Sequence, residues 1–436
     1  MNPLSLDQPW GRGSAAVHKH HFAGDTPLPD SSWLPRGLGR SYGDVCVNDG
    51  GTLLHTFRQD RLIAFDTTTG VIECEAGASL ADIAEVALRN GWFLPVTPGT
   101  RFVTVGGAIA NDVHGKNHQH AGTFGRYVRS LTLRRSDSVS ELKPGDALFS
   151  ATVAGMGLTG LIERVRLQLI RVPGAGIVQQ TKLFGRADAL ASVDEFLALE
   201  AASGDWPYTV GWIDTMHHRL RGVFFRGNHC RGDLAWHKPV PTTLALPIDM
   251  PGWLLRPWSA KAFNGAYFRA QSMNTAMQSE LPLWQFFYPL DAVSAWNRAY
   301  GKRGFVQYQF VVPKAAARES VTQILTHLRT SNVASYLGVI KSFGDIRSPG
   351  LMSFPMPGVT VTVDIAAPAE RELRALDRAD AMVADVGGRV YPAKDSRMSS
   401  VMFKRFFPQW RELEALRDCN VSSSFWRRVT SDGSGK

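Results

Sequence analysis

A chain of 436 residues, 44% hydrophobic and 20% charged, has the make-up of a globular protein and is long enough for two cores. Its net charge of +9 suits nucleic acid, an anionic membrane surface or an anionic substrate, and the lack of a block of about five basic residues argues against nucleic acid. Cys46, Cys74, Cys230 and Cys419 lie far apart with no C-x-x-C spacing, which argues against a zinc knuckle and a disulfide framework.

The first 35 residues are expected to be irregular. His18-Lys19-His20-His21 has the look of a metal tract, but no paired ligand motif accompanies it, and a solvated loop is the better reading. Neither a secretory leader nor an apolar run of about 18 residues is evident, so a cytoplasmic protein without a membrane span is expected. Arg36-Gly-Leu-Gly-Arg-Ser-Tyr-Gly-Asp44 is a first glycine-rich run. Residues 53–57 and 71–76 read as strands. Ser79 with Asp82 resembles a capping box, opening a helix with Leu80, Ile83, Ala84, Ala87 and Leu88 on one face and Asn90-Gly91 as its stop. A second glycine-rich run, 98–110, leads into Asn111-Asp-Val-His-Gly-Lys116. Two such runs point to backbone wrapped round a large anion, because glycine lets main-chain N–H groups approach phosphate oxygens.

Residues 128–133, 151–153 and 161–172 read as strands, with a third glycine cluster at 155–160. Composition shifts after Pro173 towards aromatic residues. Within this region, 239–290 is apolar and proline-rich without helical periodicity, and 247–255 reads as a mobile lid, a membrane-touching loop or a buried connection. Residues 304–313 alternate as a strand, which puts Gln307 and Gln309 on one face as a pocket wall. Residues 315–330 and 368–386 read as helices and 359–365 as a strand.

Taken in order, the segments 36–44, 98–110, 112–117, 121–125, 157–160, 296–301, 307–313 and 391–397 resemble flavoproteins with the vanillyl-alcohol-oxidase (PCMH) type of FAD-binding fold. Within these, they are most similar to the decaprenylphosphoryl-β-D-ribose 2′-oxidase family, the flavoprotein half of a two-enzyme epimerase. The resemblance implies an α+β fold. An FAD-binding domain would span 1–175 and a substrate domain with an antiparallel sheet 176–388, with 389–436 returning to the FAD domain.

The resemblance also implies the site. Arg36, Gly37, Leu38, Gly39, Arg40, Ser41, Tyr42, Gly43 and Asp44 would cradle the pyrophosphate. Gly99, Thr104, Val105, Gly106, Gly107, Asn111, Asp112, Val113 and His114 would run beside the ribityl chain and ring system, Ile162 would touch the nucleotide, and Tyr391 and Lys394 would meet the flavin from the tail. Lys394 is the candidate cation for charge developing on the flavin, against the plainer reading of a surface lysine paired with Asp395. Tyr42, His114 and Lys116 are candidate proton acceptors. Lys116, Trp212, Gln307, Gln309 and Lys341 would bind substrate, although Trp212 reads equally as core and Lys341 as a solvated strand-end lysine. No metal is expected. Some members carry a flavin-linked histidine where Arg40 stands, so the FAD is expected to be non-covalent. Counting back from Lys394 puts Val361 and Val363 where the family has a pocket asparagine and cysteine.

The activity implied is oxidation of the 2′-hydroxyl of a polyprenyl-phosphate-linked pentose to a ketone, for a separate short-chain reductase, with peripheral contact at the inner membrane. The alternatives are an oxidase of a soluble sugar, alditol or aldonolactone, and a non-enzymatic basic binding protein that retains the fold.

Overall fold

The structure, a computed structural model, describes residues 6–13, 16–24, 27–239, 244–273 and 278–431; parts of the apolar stretch 239–290 and the last residues of the tail lie outside these. Three sheets organise the described chain. The first is antiparallel and five-stranded, in the order Leu62–Asp66, Val71–Glu75, Leu161–Gln168, Val128–Arg134, Val139–Leu142. Its alternating residues Ile72, Cys74, Leu131, Leu133, Val165 and Leu167 are buried, as a sheet with one covered face requires. The helix Leu80–Leu88 belongs to the same core and buries the five apolar residues that the sequence placed on one face. Ser79 caps it, its hydroxyl accepting from Asp82 N at 3.1 Å while the Asp82 carboxylate accepts from Ser79 N at 3.3 Å. Gly91, at φ 75°, lies just beyond the helix.

The second sheet is small and parallel, with Thr52–His55 between Lys19–Phe22 and Trp33–Arg36. Its strand Trp33–Arg36 runs straight into the first glycine-rich loop. The predicted histidine loop is therefore a strand. His20 Nδ1 lies 2.9 Å from His55 Nε2, and His18 Nε2 accepts from Asn48 N at 3.0 Å. Among the described residues no grouping of metal-ligating side chains is present.

The third sheet has eight strands, in the order Gln278–Pro282, Gly176–Phe184, Gly222–Cys230, Tyr208–Ile213, Ser335–Phe343, Gly358–Ala366, Phe305–Pro313, Arg389–Val390. Helices Ala189–Ala201, Ala317–Thr330 and Glu370–Asp385 cover one face. Tyr308, Phe310, Val361 and Val363 point into that helical layer. Gln307 and Thr362, from the alternate positions, face a cavity on the other side.

Three further readings are corrected. Residues 151–153 are not a strand, because Ala147–Thr152 is a short helix; an apolar run this short carries no periodicity to separate the two. The stretch 239–290 holds a helix of 16 residues, Pro257–Ser272, opened by proline at its first turn. It escaped notice because its outward face is apolar too. Val361 and Val363 are not pocket residues: a count displaced by one turns a strand over, and Thr360 and Thr362 take the cavity side.

The tail closes the molecule. Trp33 forms a parallel bridge with Val421, and Tyr42 N donates to Ala393 O at 3.2 Å. Arg428 holds the Asp44 carboxylate with two bonds of 2.8 and 2.7 Å and reaches Asp395 at 3.1 Å. Replacing Arg428 with alanine leaves two mostly buried carboxylates without their cation. The expected cost is about 3 kcal/mol, read by chemical denaturation; unchanged stability would contradict this account of the closure.

Candidate active site

A cavity of about 1580 Å³ lies between the glycine-rich loops and the open face of the eight-stranded sheet. One wall is residues 36–42. Gly37 packs so tightly that a Cβ would sit 2.3 Å from Thr104 Oγ1, and Gly39 has φ 62°. Among the described residues, the backbone N–H groups of 37–41 have no hydrogen-bond acceptor. A concave run of unsatisfied donors is an anion cradle. Arg36 braces it, donating to Cys46 O at 2.7 Å and Gln8 O at 2.6 Å. Arg40 lies 4.3 Å from the Trp10 ring centroid and donates to Phe102 O at 3.0 Å. The neighbouring wall begins at Thr104, whose hydroxyl accepts from Gly107 N at 3.1 Å. A Cβ on Gly106 would meet Ala76 at 3.1 Å, so bare backbone faces the cavity here.

His114 sits deep in the site, against Phe343 and Tyr391. The Gln309 amide donates to Thr360 Oγ1 and to His114 Nε2, both at 3.0 Å, and Thr360 passes its own proton to Phe310 O. His114 Nδ1 has no partner among the described residues. Burial, and the charges of Lys341 and Lys394, hold the imidazole neutral, well below its ordinary range. Tyr391 stacks on Phe354 at 4.6 Å and donates to Asn111 O at 2.8 Å.

Three lysines face the cavity. Lys394 is lowered to about 7 by burial first, then by Lys341. Lys116 is lowered to about 7 by the same two causes, and it donates to Phe286 O with its ammonium 4.2 Å from that residue's ring centroid. Lys341 is lowered to about 8 by burial. The carboxylate facing Lys394 is Asp364, which accepts from Gln307 Nε2 at 2.5 Å and Tyr300 at 2.9 Å and is itself pushed up to about 6 by burial. Glu200 faces Lys341 and is pushed up to about 7 by burial, so two raised carboxylates stand against three lysines and positive charge remains for an anion.

The structure brings most of the expected site residues onto this one cavity: 36–42, Gly99, Thr104, Gly106, Gly107, Asn111, Val113, His114, Lys116, Ile162, Trp212, Gln307, Lys341, Tyr391 and Lys394. Others lie behind it. Asp44 is taken by Arg428, Gly43 packs against Asp395, Val105 is core, and Asp112 accepts from Gly125 N, Ser348 and Ser353. Gln309 orients His114 from a buried position. The surface pairing of Lys394 with Asp395 is not present, since Asp395 is 3% exposed and bonds Arg428. Sequence reasoning missed Trp10, Asn297, Tyr300, Asp291, Thr362 and Asp364. Thr362 and Asp364 had a legible signal in the alternation of the strand 359–365, and Asn297 and Tyr300 lie in the segment 296–301 that carries the resemblance.

An FAD binding domain family profile matches residues 28–138. The decaprenylphosphoryl-β-D-ribose oxidase of Mycolicibacterium smegmatis is 36% identical over 403 residues, covering 88% of this chain and 85% of that protein. The chain belongs to that oxidase family. An uncharacterised protein of Streptomyces coelicolor is 30% identical over 78% of this chain and 96% of its own length. The bovine L-gulonolactone oxidase is 29% identical over 31% of each chain. The family assignment and the FAD-binding domain make this chain an FAD-dependent oxidoreductase of the PCMH type. The cradle of free N–H groups, the glycine backbone at Gly106 lining the cavity and the excess of lysines over carboxylates fit that cofactor.

The lysines give the flavin-free protein a definite pH dependence. Their folded pKa values of about 7 to 8 lie below the unfolded value of 10.5. Between these limits the unfolded chain holds more protons, so stability rises with pH from about 7 to about 10. Asp364, raised to about 6 from 3.8, acts in a lower window, costing stability as pH rises through 6. Melting temperatures of flavin-free protein at neutral and at mildly alkaline pH should show the rise, and Lys394→Met should flatten it; an equal slope in both proteins would contradict burial of the charge.

Proposed function

We propose that the chain oxidises the 2′-hydroxyl of a polyprenyl-phosphate-linked pentose to a ketone, using FAD held without a covalent bond. The observation that carries this is the gathering of Lys116, Lys341 and Lys394 on one cavity that also presents an unsatisfied anion cradle. Lys394 answers a flavin, and Lys341 leaves charge for a substrate phosphate. The relative in M. smegmatis is named for such a substrate. The gulonolactone oxidase matches only about a third of the chain, so it speaks for the cofactor domain more than for the substrate.

Bound FAD supplies the hydride acceptor. The protein's own residues do the rest. Residues 37–41 bind the pyrophosphate through backbone N–H groups. Arg40 stacks beneath Trp10 in the slot where a linking histidine would stand, and its guanidinium cannot form that bond, so packing and hydrogen bonds hold the cofactor. Lys394 stays charged beside an anionic ring system because the anion restores the pKa that burial lowered. For the substrate proton the three candidates separate. Burial raises the Tyr42 phenol far above neutrality, so it keeps its proton, and His114 Nε2 lies 3.0 Å from the Gln309 amide nitrogen. Lys116 reaches its neutral form near pH 7 and takes the proton. Gln307, fixed by Asp364, and Trp212, packed on Tyr267 at 4.7 Å, line the sugar end. The ketone product suits a separate short-chain reductase, and a lipid-linked substrate suits peripheral contact with the inner membrane.

Two measurements test this reading. Acid denaturation should release all the flavin into the supernatant; flavin that stays with the pellet would refute non-covalent binding. Polyprenyl-phosphoryl-ribose should bleach the flavin anaerobically, and Lys394→Ala should slow this by about a hundredfold with much of the flavin retained. Bleaching by free sugars or lactones alone would transfer the protein to the soluble-substrate reading.

A further inference from the structure

One face of the molecule is apolar and unpartnered in a way the site alone does not explain. On the segment 246–273, Ile248 is 69% exposed, Trp253 65%, Trp258 60% and Phe263 55%, with Met273 at 76%. These side chains project from an ordered scaffold. Met250 N donates to Arg298 O at 3.0 Å, and Arg298 donates back to Leu246 O and Pro247 O, both at 3.0 Å. Arg12 holds Asp249 at 2.7 Å. Tyr336 donates to Leu254 O at 2.8 Å and lies 2.8 Å from Ser259 Oγ. The backbone is fixed while large apolar groups stand in water.

Charge on this face has one sign. From Met250 to Met273 the sequence has no aspartate or glutamate, and it carries Arg256, Lys261 and Arg269, all exposed. Asp249, just before this segment, is occupied by Arg12 and Arg298, and Asp214, which meets Asn264 on the buried side of the helix, is paired with Arg221. On the helix Pro257–Ser272 the outward residues Trp258, Ala262, Ala266 and Ala270 fall at helical spacing, with Lys261 and Arg269 beside them. Phe263, from the same helix, is exposed and also lines the cavity, so the patch borders the cavity mouth.

We propose that this face seats on an anionic lipid bilayer, with Trp253 and Trp258 inserted among the headgroups and Arg256, Lys261 and Arg269 against the lipid phosphates. Tryptophan with basic side chains on one helix face is the composition of interfacial membrane helices, and each surface cation adds attraction to an anionic leaflet. A second copy of the chain is a poorer occupant. A two-fold contact sets the same patch against itself, bringing the three cations opposite their own copies with no carboxylate between. The inference rests on the lipid-linked reading of the substrate, because it places the cavity mouth at the depth where a polyprenyl phosphate presents its sugar.

The test is co-sedimentation of the intact flavoprotein with vesicles of phosphatidylglycerol and phosphatidylcholine in equal parts, against phosphatidylcholine alone. Binding should favour the anionic vesicles by about tenfold or more and weaken with added salt. Trp253→Ser with Trp258→Ser, and separately Lys261→Glu with Arg269→Glu, should each reduce it by at least about tenfold, with the flavin spectrum unchanged. None of these four residues lines the cavity, so anaerobic bleaching by a short-chain, water-dispersed polyprenyl-phosphoryl-ribose should persist in both variants. Equal binding to both vesicle types, or variants that bind as well as the parent, would overturn the inference. So would a dimer in gel filtration that the tryptophan variant dissolves, since a second copy would then be the occupant. Bleaching without vesicle binding defeats the membrane surface and spares the proposed activity; vesicle binding without bleaching does the reverse.

Discussion

Arg428, held between Asp44 and Asp395, is the interaction on which the flavin site depends. The glycine-rich loop has few side chains of its own to pack, and its N–H groups must stay free for an anion. Its shape has to be imposed from outside. The tail does this through the Arg428 ion pairs, through Ala393 O receiving Tyr42 N, and through the contact of Gly43 with Asp395, where a Cβ would lie 1.6 Å from the Asp395 carbonyl oxygen. The N-terminal segment completes the clamp from the other side, with Trp10 N donating to Ser41 O at 2.9 Å.

The same closure explains why the lysines are tolerated. Lys394 follows directly on the residues that lock the loop, so its ammonium is delivered to the cavity as the tail docks. Burying three cations with little counter-charge is costly, and the cost is borne where a ligand is to bind. Asp364 moderates it without cancelling it, because its carboxylate is shared with Gln307 and Tyr300. The site is thus set up to favour an anion, with binding restoring the protonation that folding alone discourages.

Much of this was legible in the chain. The two glycine-rich runs, the capping box at Ser79, the strand carrying Gln307 and the two helices behind it all follow from local pattern, and local pattern is what those elements obey. The misses share a cause. Trp10, Asn297 and Tyr300 sit in irregular segments where nothing periodic marks a wall of a cavity. Asp44 and Gln309 lie in the right motifs but have side chains that turn to tertiary partners, and no spacing rule reveals Arg428 far along the sequence. The helix Pro257–Ser272 was hidden because apolar residues occur on its outward side as well as its inward one. The displaced reading of Val361 and Val363 shows how little separates a wall from a core in a strand whose faces alternate.

The ion pair from Asp44 to Arg428 spans 384 positions of sequence. Synthesis proceeds from the N-terminus, and domains fold as their residues emerge. The cradle loop leaves the ribosome well before Arg428, which shapes it from 384 positions further along. A nascent chain therefore carries the phosphate-binding motif without a competent form of it until Arg428 has emerged. Contacts this distant in sequence are also slow to close. Cofactor loading therefore waits until Arg428 has emerged and docked, and an abundant pool of free flavin cannot hasten it.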